Sequence, residues 1–248
     1  SLQAFVEWLT IAEKQMTSAP PVSRVLEIIQ HQMEEHKHLQ KDVSIHREAM
    51  LLLDKKGTHL KYFSQKQDVI LIKNLLVSVQ HRWERVVAKV TERTRALDHG
   101  YKEAREFHDS WQQLTSWLKE TETVLDVLEK ESQSTNDSVK IKKHLEKIRE
   151  TQRALSGKQG LYDQTMRTGR GLLDRAPKSD EFTLTKMLNE LKETWTRVCS
   201  KSVERQRKLE EALLLSGQFA EALQALLEWL RKTRNGLSDD GPVYGDLD

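Results

Sequence analysis

The stretch from Ser64 to Glu131 contains no proline and one glycine, Gly100. Apolar residues recur along it at steps of four and three: Ile72, Leu76, Val79, Trp83, Val86 and Val90, then Leu97, Tyr101, Ala104, Phe107, Trp111, Leu114 and Leu118. That spacing keeps one stripe of a helix turned toward partner helices. A pattern this long points to a coiled coil or a helical repeat rather than an ordinary globular helix. At 1.5 Å per residue it would run roughly 100 Å. Such a helix can end one bundle and begin the next.

The flanking sequence supplies the partners. Leu2, Phe5, Leu9, Ala12 and Met16 share one face of a short helix, with Trp8 beside it, and Pro20 and Pro21 stop it. A second helix is expected from about Ser23 to Leu60, its stripe running Val25, Ile29, Gln32, His36, Leu39, Val43, His46, Met50, Leu53, Gly57 and Leu60. Ser64 and Gln67 stand at capping-box spacing before the long third helix. A polar turn near Gln133 to Ser138 precedes a fourth helix with stripe Ile141, Leu145, Ile148, Gln152 and Leu155. Pro177 closes it, and Ser179 is the expected cap of a fifth, which carries Leu184, Leu188, Leu191, Trp195, Val198 and Leu209. The fifth continues through Phe219, Leu223, Leu226, Trp229 and Leu230 to about Asn235, and residues 236–248 read as a loop.

The pattern repeats. Trp8, Trp117 and Trp229 are each followed by leucine, and Trp83 matches Trp195 at an offset of 195 − 83 = 112. The same offset pairs Arg85 with Arg197, Leu97 with Leu209 and Phe107 with Phe219. The second helices align at 116 instead, His36 with Gln152 and His46 with Tyr162, so the length difference sits in loops. The chain therefore reads as helices A–B–C twice, each C running into the next A. The expected class is all-α, with tandem three-helix left-handed coiled-coil bundles joined by continuous helical linkers. The divisions expected are 1–106, 107–217 and a partial third unit at 218–248. The apolar face of that last helix has no intramolecular partner on this reading, which leaves an isolated fragment free to self-associate through it.

The period, the three heptad helices, the tryptophans of helix A (Trp8, Trp117) and of helix C (Trp83, Trp195), and the unbroken C-to-A connection together resemble the spectrin repeat family. The resemblance covers the whole chain. The stretch Leu213-Leu214-Leu215-Ser216-Gly217-Gln218-Phe219 is similar to the spectraplakins; nesprins, dystrophin, plectin and spectrin share the general pattern. The resemblance implies a structural rod or spacer in a large cytoskeletal linker, cytoplasmic and cytoskeleton-associated. Its partners would be neighbouring repeats of the same protein and cytoskeletal proteins. In spectraplakins the actin-binding and microtubule-binding modules lie outside such repeats, and nothing in this chain matches them.

Composition and motifs exclude other classes. The formal net charge of +2 on 248 residues gives no global field for nucleic acid. No apolar run is long enough for membrane insertion. Trp8, Trp83, Trp117 and Trp195, with Leu39 and Leu155, are expected to anchor the core. Glu35 and His38 have the Glu-x-x-His spacing of di-iron bundles, but no second such motif occurs, so neither a metal nor another cofactor is expected. His36 and His46 interrupt an apolar stripe and are expected to set register. Cys199 has no partner at a nucleophile's spacing and matches Val87. No Gly-rich phosphate loop or paired-carboxylate cleft occurs, so the chain is expected not to be an enzyme. Lys140, Lys142, Lys143 and Lys147 form a basic run that offers a docking face for an acidic partner, or simply a solvated one. Gly100 is the expected hinge of the first linker, weaker than Glu210-Glu211-Ala212 of the second, where Gly217 is a milder weak point.

Overall fold

In the computed structural model, which describes residues 1–239, five helices follow one another: α1 (Leu2–Ser18), α2 (Leu26–Lys61), α3 (Lys66–Gln133), α4 (Ser138–Arg175) and α5 (Lys178–Asp239). Among the described residues the fold is all-α, made of helical bundles. The 68 residues of α3 and the 62 of α5 are each a single helix, as the absence of internal proline allows.

The chain forms two compact units, each drawn from two stretches. The first holds residues 1–112 and 164–189, the second residues 113–163 and the described chain from 190 to 239. In the first unit, Phe5, Leu9 and Ala12 of α1 pack with Leu39, Val43 and Met50 of α2 and with Val79, Val86 and Val90 of α3. These residues are the stripes of the sequence, spaced so that each turn of helix returns one side chain to the seam. A second cluster, Ile29, Leu97 and Ala104, sits beside it with Val22, Met33 and Tyr101 packed around it. In the second unit Leu118 and Leu125 of α3, Ile141, Ile148 and Leu155 of α4, and Leu191, Trp195 and Val198 of α5 are buried.

Several local expectations need correction. Ser64 does not cap α3; its hydroxyl donates to the Leu60 carbonyl at 2.8 Å and serves the end of α2 instead. Ser179 lies inside the first turn of α5, which begins at Lys178, because Pro177 occupies the entry where its missing N–H costs nothing. α2 begins at Leu26 with Val25 as a cap lacking any side-chain bond. Residues 236–239, expected in a loop, continue α5, where the Ser238 hydroxyl bonds the carbonyls of Arg234 and Asn235. The rest of that expected loop, and of the partial unit at 218–248, lies outside the described residues.

Candidate functional site

The tryptophan positions come first. Trp195 is buried, and Trp8 and Trp83 pack against the core of the first unit. Phe5, Trp8 and Trp83 form a triangle with ring centroids 5.8–5.9 Å apart, in the tilted arrangement aromatic quadrupoles favour. His46 stacks on Trp8 with centroids 4.0 Å apart and planes 8° off parallel. Its counterpart Tyr162 stacks not on Trp117 but on Trp195, at 4.5 Å. The helix-B ring thus stacks on the helix-A tryptophan in the first repeat and on the helix-C tryptophan in the second. Trp117 is half-buried with the Lys158 ammonium 5.6 Å over its ring. Leu39 and Leu155 are buried.

His36 is buried, its Nε2 lying 2.9 Å from the Thr94 hydroxyl and 3.2 Å from the Val90 carbonyl. Burial, more than any neighbouring charge, pushes its pKa below the usual imidazole value. Its counterpart Gln152 also reaches across to α5, donating to Gln206 at 2.8 Å. Burial raises the Cys199 thiol, which disfavours the thiolate a nucleophile would need. Among the described residues no group of three or more His, Cys, Asp or Glu side chains could hold a metal ion.

Each repeat pins its A helix to its C helix with a carboxylate at the same place. Glu13 takes a two-pronged pair from Arg82 at 3.0 and 2.9 Å. Glu122 takes Arg197 at 2.9 and 3.2 Å and Lys201 at 2.7 Å. The Arg197 and Lys201 hydrogen bonds, partly offset by burial, bring the Glu122 carboxyl down to about 2. Arg82 and Arg197 are not counterparts at the 112 offset; Arg85 is the residue matching Arg197. The carboxylate is therefore retained while its cation moves by about one turn.

The densest polar cluster lies within the first unit, where the α1–α2 connection, the middle of α3 and the α4–α5 connection meet. Asp180 is fully buried. Its Oδ1 accepts the Ser23 hydroxyl at 2.8 Å and its Oδ2 the Arg24 backbone N–H at 2.7 Å. Ser23 in turn gives its N–H to Gln32 Oε1 at 2.9 Å, and its oxygen accepts the Val25 N–H at 3.0 Å. Gln32 Nε2 donates to the Pro21 carbonyl at 3.0 Å. Glu103 of α3 holds Arg24 at 3.0 Å and Arg175 at 2.9 Å. Trp111 Nε1 donates to the Met187 carbonyl at 2.8 Å. Gly100 lies buried against this cluster; a Cβ there would stand 2.6 Å from Arg24 Nη1 and 2.9 Å from Ile29 Cδ1. By contrast nothing lies within 4 Å of the corresponding position on Gly217. In the sequence Asp180 is only one of two acidic residues in the first turn of a helix. The signal that could have found it is Asp68, which occupies its place at the 112 offset.

The basic run is exposed. Lys140, Lys142, Lys143 and Lys147 enter none of the ion pairs among the described residues, whereas Arg149 and Arg153 both turn to Glu146. No described helix is long and apolar enough to cross a membrane. Beyond Gly217, α5 leaves Phe219, Leu223, Leu226, Trp229 and Leu230 exposed.

A spectrin repeat family model matches residues 1–99 and 102–211. Microtubule-actin cross-linking factor 1 of Rattus norvegicus is 50% identical over 249 residues, which takes in 100% of this chain and 4% of that protein. Microtubule-actin cross-linking factor 1, isoforms 6/7, of Homo sapiens is 50% identical over 245 residues, 98% of this chain and 7% of that protein. The chain thus spans only a few per cent of the length of these curated relatives. With two heptad-built three-helix patterns, a repeated A-to-C carboxylate pin and a family match covering most of its length, the chain belongs to the spectrin repeat family.

Proposed function

We propose that this segment is a structural spacer of a large cytoskeletal linker, transmitting force and setting the distance between binding modules elsewhere in the parent protein. The observation that carries this reading is the Asp180 cluster: it joins residues of the two matched repeats around an α3 that runs unbroken from one to the other. A helix crossing a boundary couples the segments it joins, because bending it breaks backbone hydrogen bonds. The identity to a microtubule-actin cross-linking factor suits a cytoplasmic, cytoskeleton-associated setting. The chemistry of the site suits a load-bearing element and not an enzyme. We place the boundaries of the two repeats near 1–106 and 107–217, with a further helix A from 218.

Single-molecule pulling on the chain tests this. Coupled unfolding, with the two repeats giving way together in a substantial share of traces, is expected, and Asp180→Ala reduces that share. Independent unfolding of the repeats in the unsubstituted chain overturns the reading.

A second reading, docking of an acidic cytoskeletal or adaptor partner, is favoured by one observation, the exposed and unpaired Lys140, Lys142, Lys143 and Lys147. Co-sedimentation with microtubules and with actin, lost at high salt and on Lys142→Glu/Lys143→Glu, would support it; no co-sedimentation would remove it.

A further inference from the structure

The end of the α2–α3 hairpin in the first unit differs in kind from its counterpart in the second repeat. Between His59 and Lys66 stand six residues, Leu60 to Gln65, where the second repeat has only Ala176 and Pro177 between Arg175 and Lys178. The difference of four accounts for the change of offset from 116 to 112. The inserted tip presents Tyr62 at 83% and Phe63 at 78% exposure. Above it, the outer face of α2 carries Ile45 and Leu52, seven residues apart and both exposed, then His59 seven further on, whose ring lies 5.1 Å from that of Phe63. Leu51, at 66% exposure, flanks the same face.

These side chains are not surplus core. Helix α2 already buries Ile29, His36, Val43, Met50 and Gly57 on its inner side, again at sevens. A helix with one buried heptad stripe has no need of a second one facing water. In the second repeat the matching positions are less apolar. Ile45, Leu51, Leu52 and His59 correspond to Leu161, Arg167, Thr168 and Arg175 at the 116 offset. Arg175 is held by Glu103 in a hairpin end already engaged by the Asp180 cluster, whereas Arg167 is exposed. Joining another repeat to this end, in the manner seen at Asp180, would therefore leave Leu51 uncovered.

Charge identifies the occupant. Between Asp54 and Asp68 stand four lysines, Lys55, Lys56, Lys61 and Lys66, and no other aspartate or glutamate. Higher on the face Glu48 stands between Ile45 and Leu52. We propose that the outer face of α2 from Ile45 to His59, together with the tip at Tyr62 and Phe63, docks an amphipathic helix of a partner protein, with leucine-like residues at heptad spacing and acidic residues flanking them at the end that meets the lysines. The seven-residue spacing is that of a helix-reading seam, and the helix from Ile45 to its end at Lys61 spans about 25 Å, a little under five turns. This surface is separate from the Lys140–Lys147 run and does not rest on the spacer role.

The test uses the 248-residue chain and a synthetic 21-residue helix with leucine at a and d positions and glutamate at e and g, titrated by fluorescence anisotropy. Saturable binding that weakens with salt is expected. Leu52→Thr/Phe63→Ser weakens it at least tenfold, as does Lys55→Glu/Lys56→Glu, while the circular dichroism melt is unchanged because all four positions are exposed. Phe219→Ser/Leu226→Ser on the exposed α5 face leaves it unaltered. The proposal is overturned by absent binding, by equal binding of the α2 variants, or by loss of binding in the α5 variant instead. It is equally overturned if the α2 face serves phosphatidylserine-containing vesicles or self-association and the peptide does not compete.

Discussion

The hydroxyl of Ser23 lies 2.8 Å from the carboxylate of Asp180, 157 residues further along the chain. The two are buried at 2% and 0% exposure, and the same carboxylate takes the Arg24 N–H. A buried carboxylate that gives up one lone pair to a side chain and another to the backbone is satisfied only when both connections are in place. Asp180→Ala leaves the Ser23 hydroxyl and the Arg24 N–H without an acceptor. It is expected to cost about 2–4 kcal/mol of unfolding free energy, the usual penalty for two orphaned donors. Asp180→Asn keeps one acceptor and should cost less. Urea melts of the three proteins check the order; a loss under about 0.5 kcal/mol for the alanine variant refutes it.

The two linker glycines are expected to respond oppositely to alanine. At Gly217 the added methyl meets nothing, so the helix-propensity gain of about 1 kcal/mol is realised in full. At Gly100 the methyl would press on Arg24 and Ile29, the first held by Glu103 and the second fully buried, and crowding offsets or exceeds that gain. Sequence alone ranks Gly100 as the weaker hinge on backbone entropy. Packing around it argues for the reverse, so amides near Gly217 should exchange faster than those near Gly100. Hydrogen exchange decides between the two rankings.

Acidification should weaken the first repeat before the second. The folded pKa of His36 lies below its ordinary value, so the unfolded chain binds the proton more readily. Stability from this group is complete above about pH 6.5 and falls as pH drops below it. Arg93 works in the same direction and Asp98 against it. The lowered carboxyls of Glu13 and Glu122 act in another window: what they contribute is present above about pH 4.5 and lost as pH falls further. Between pH 7 and 5 the unsubstituted chain should therefore lose stability, and His36→Gln, which copies Gln152, should flatten that slope. An unchanged slope would show that His36 is not the responsible group.

Replacing Trp195 by alanine should cost roughly 3–5 kcal/mol, because the ring is 7% exposed and carries the Tyr162 stack. A double-mutant cycle with Tyr162→Leu should return a coupling of about 1 kcal/mol. Trp83→Ala in the first repeat removes one corner of the aromatic triangle and should fall in the same range. A loss under about 1 kcal/mol at Trp195 would contradict its place in the core.

The helices and their buried faces were legible in the sequence because heptad spacing maps directly onto a helical stripe. Ile29, His36, Val43 and Met50 are buried as that spacing requires. Helix ends were less legible. Ser64 and Ser179 have the right residue type for caps, yet a hydroxyl can serve the preceding carbonyl as well as the following N–H, and only the backbone path decides. The Asp180 cluster was hardly legible: the repeat offset marks Asp180 alone, against Asp68, and no spacing rule links the three distant stretches that supply its partners. The tip at Tyr62 and Phe63 was hidden differently, as an exposed apolar pair breaks no periodicity.

Glu103 answers to both Arg24 and Arg175, and Asp180 to both Ser23 and Arg24. The short loop after α1 therefore shares its anchorage with the turn before α5. Tension that peels α1 from its bundle must first strip these acceptors of their donors, so damage at one end of the unit is felt at once by the other. A bundle end wired in this way yields late and all together, instead of link by link.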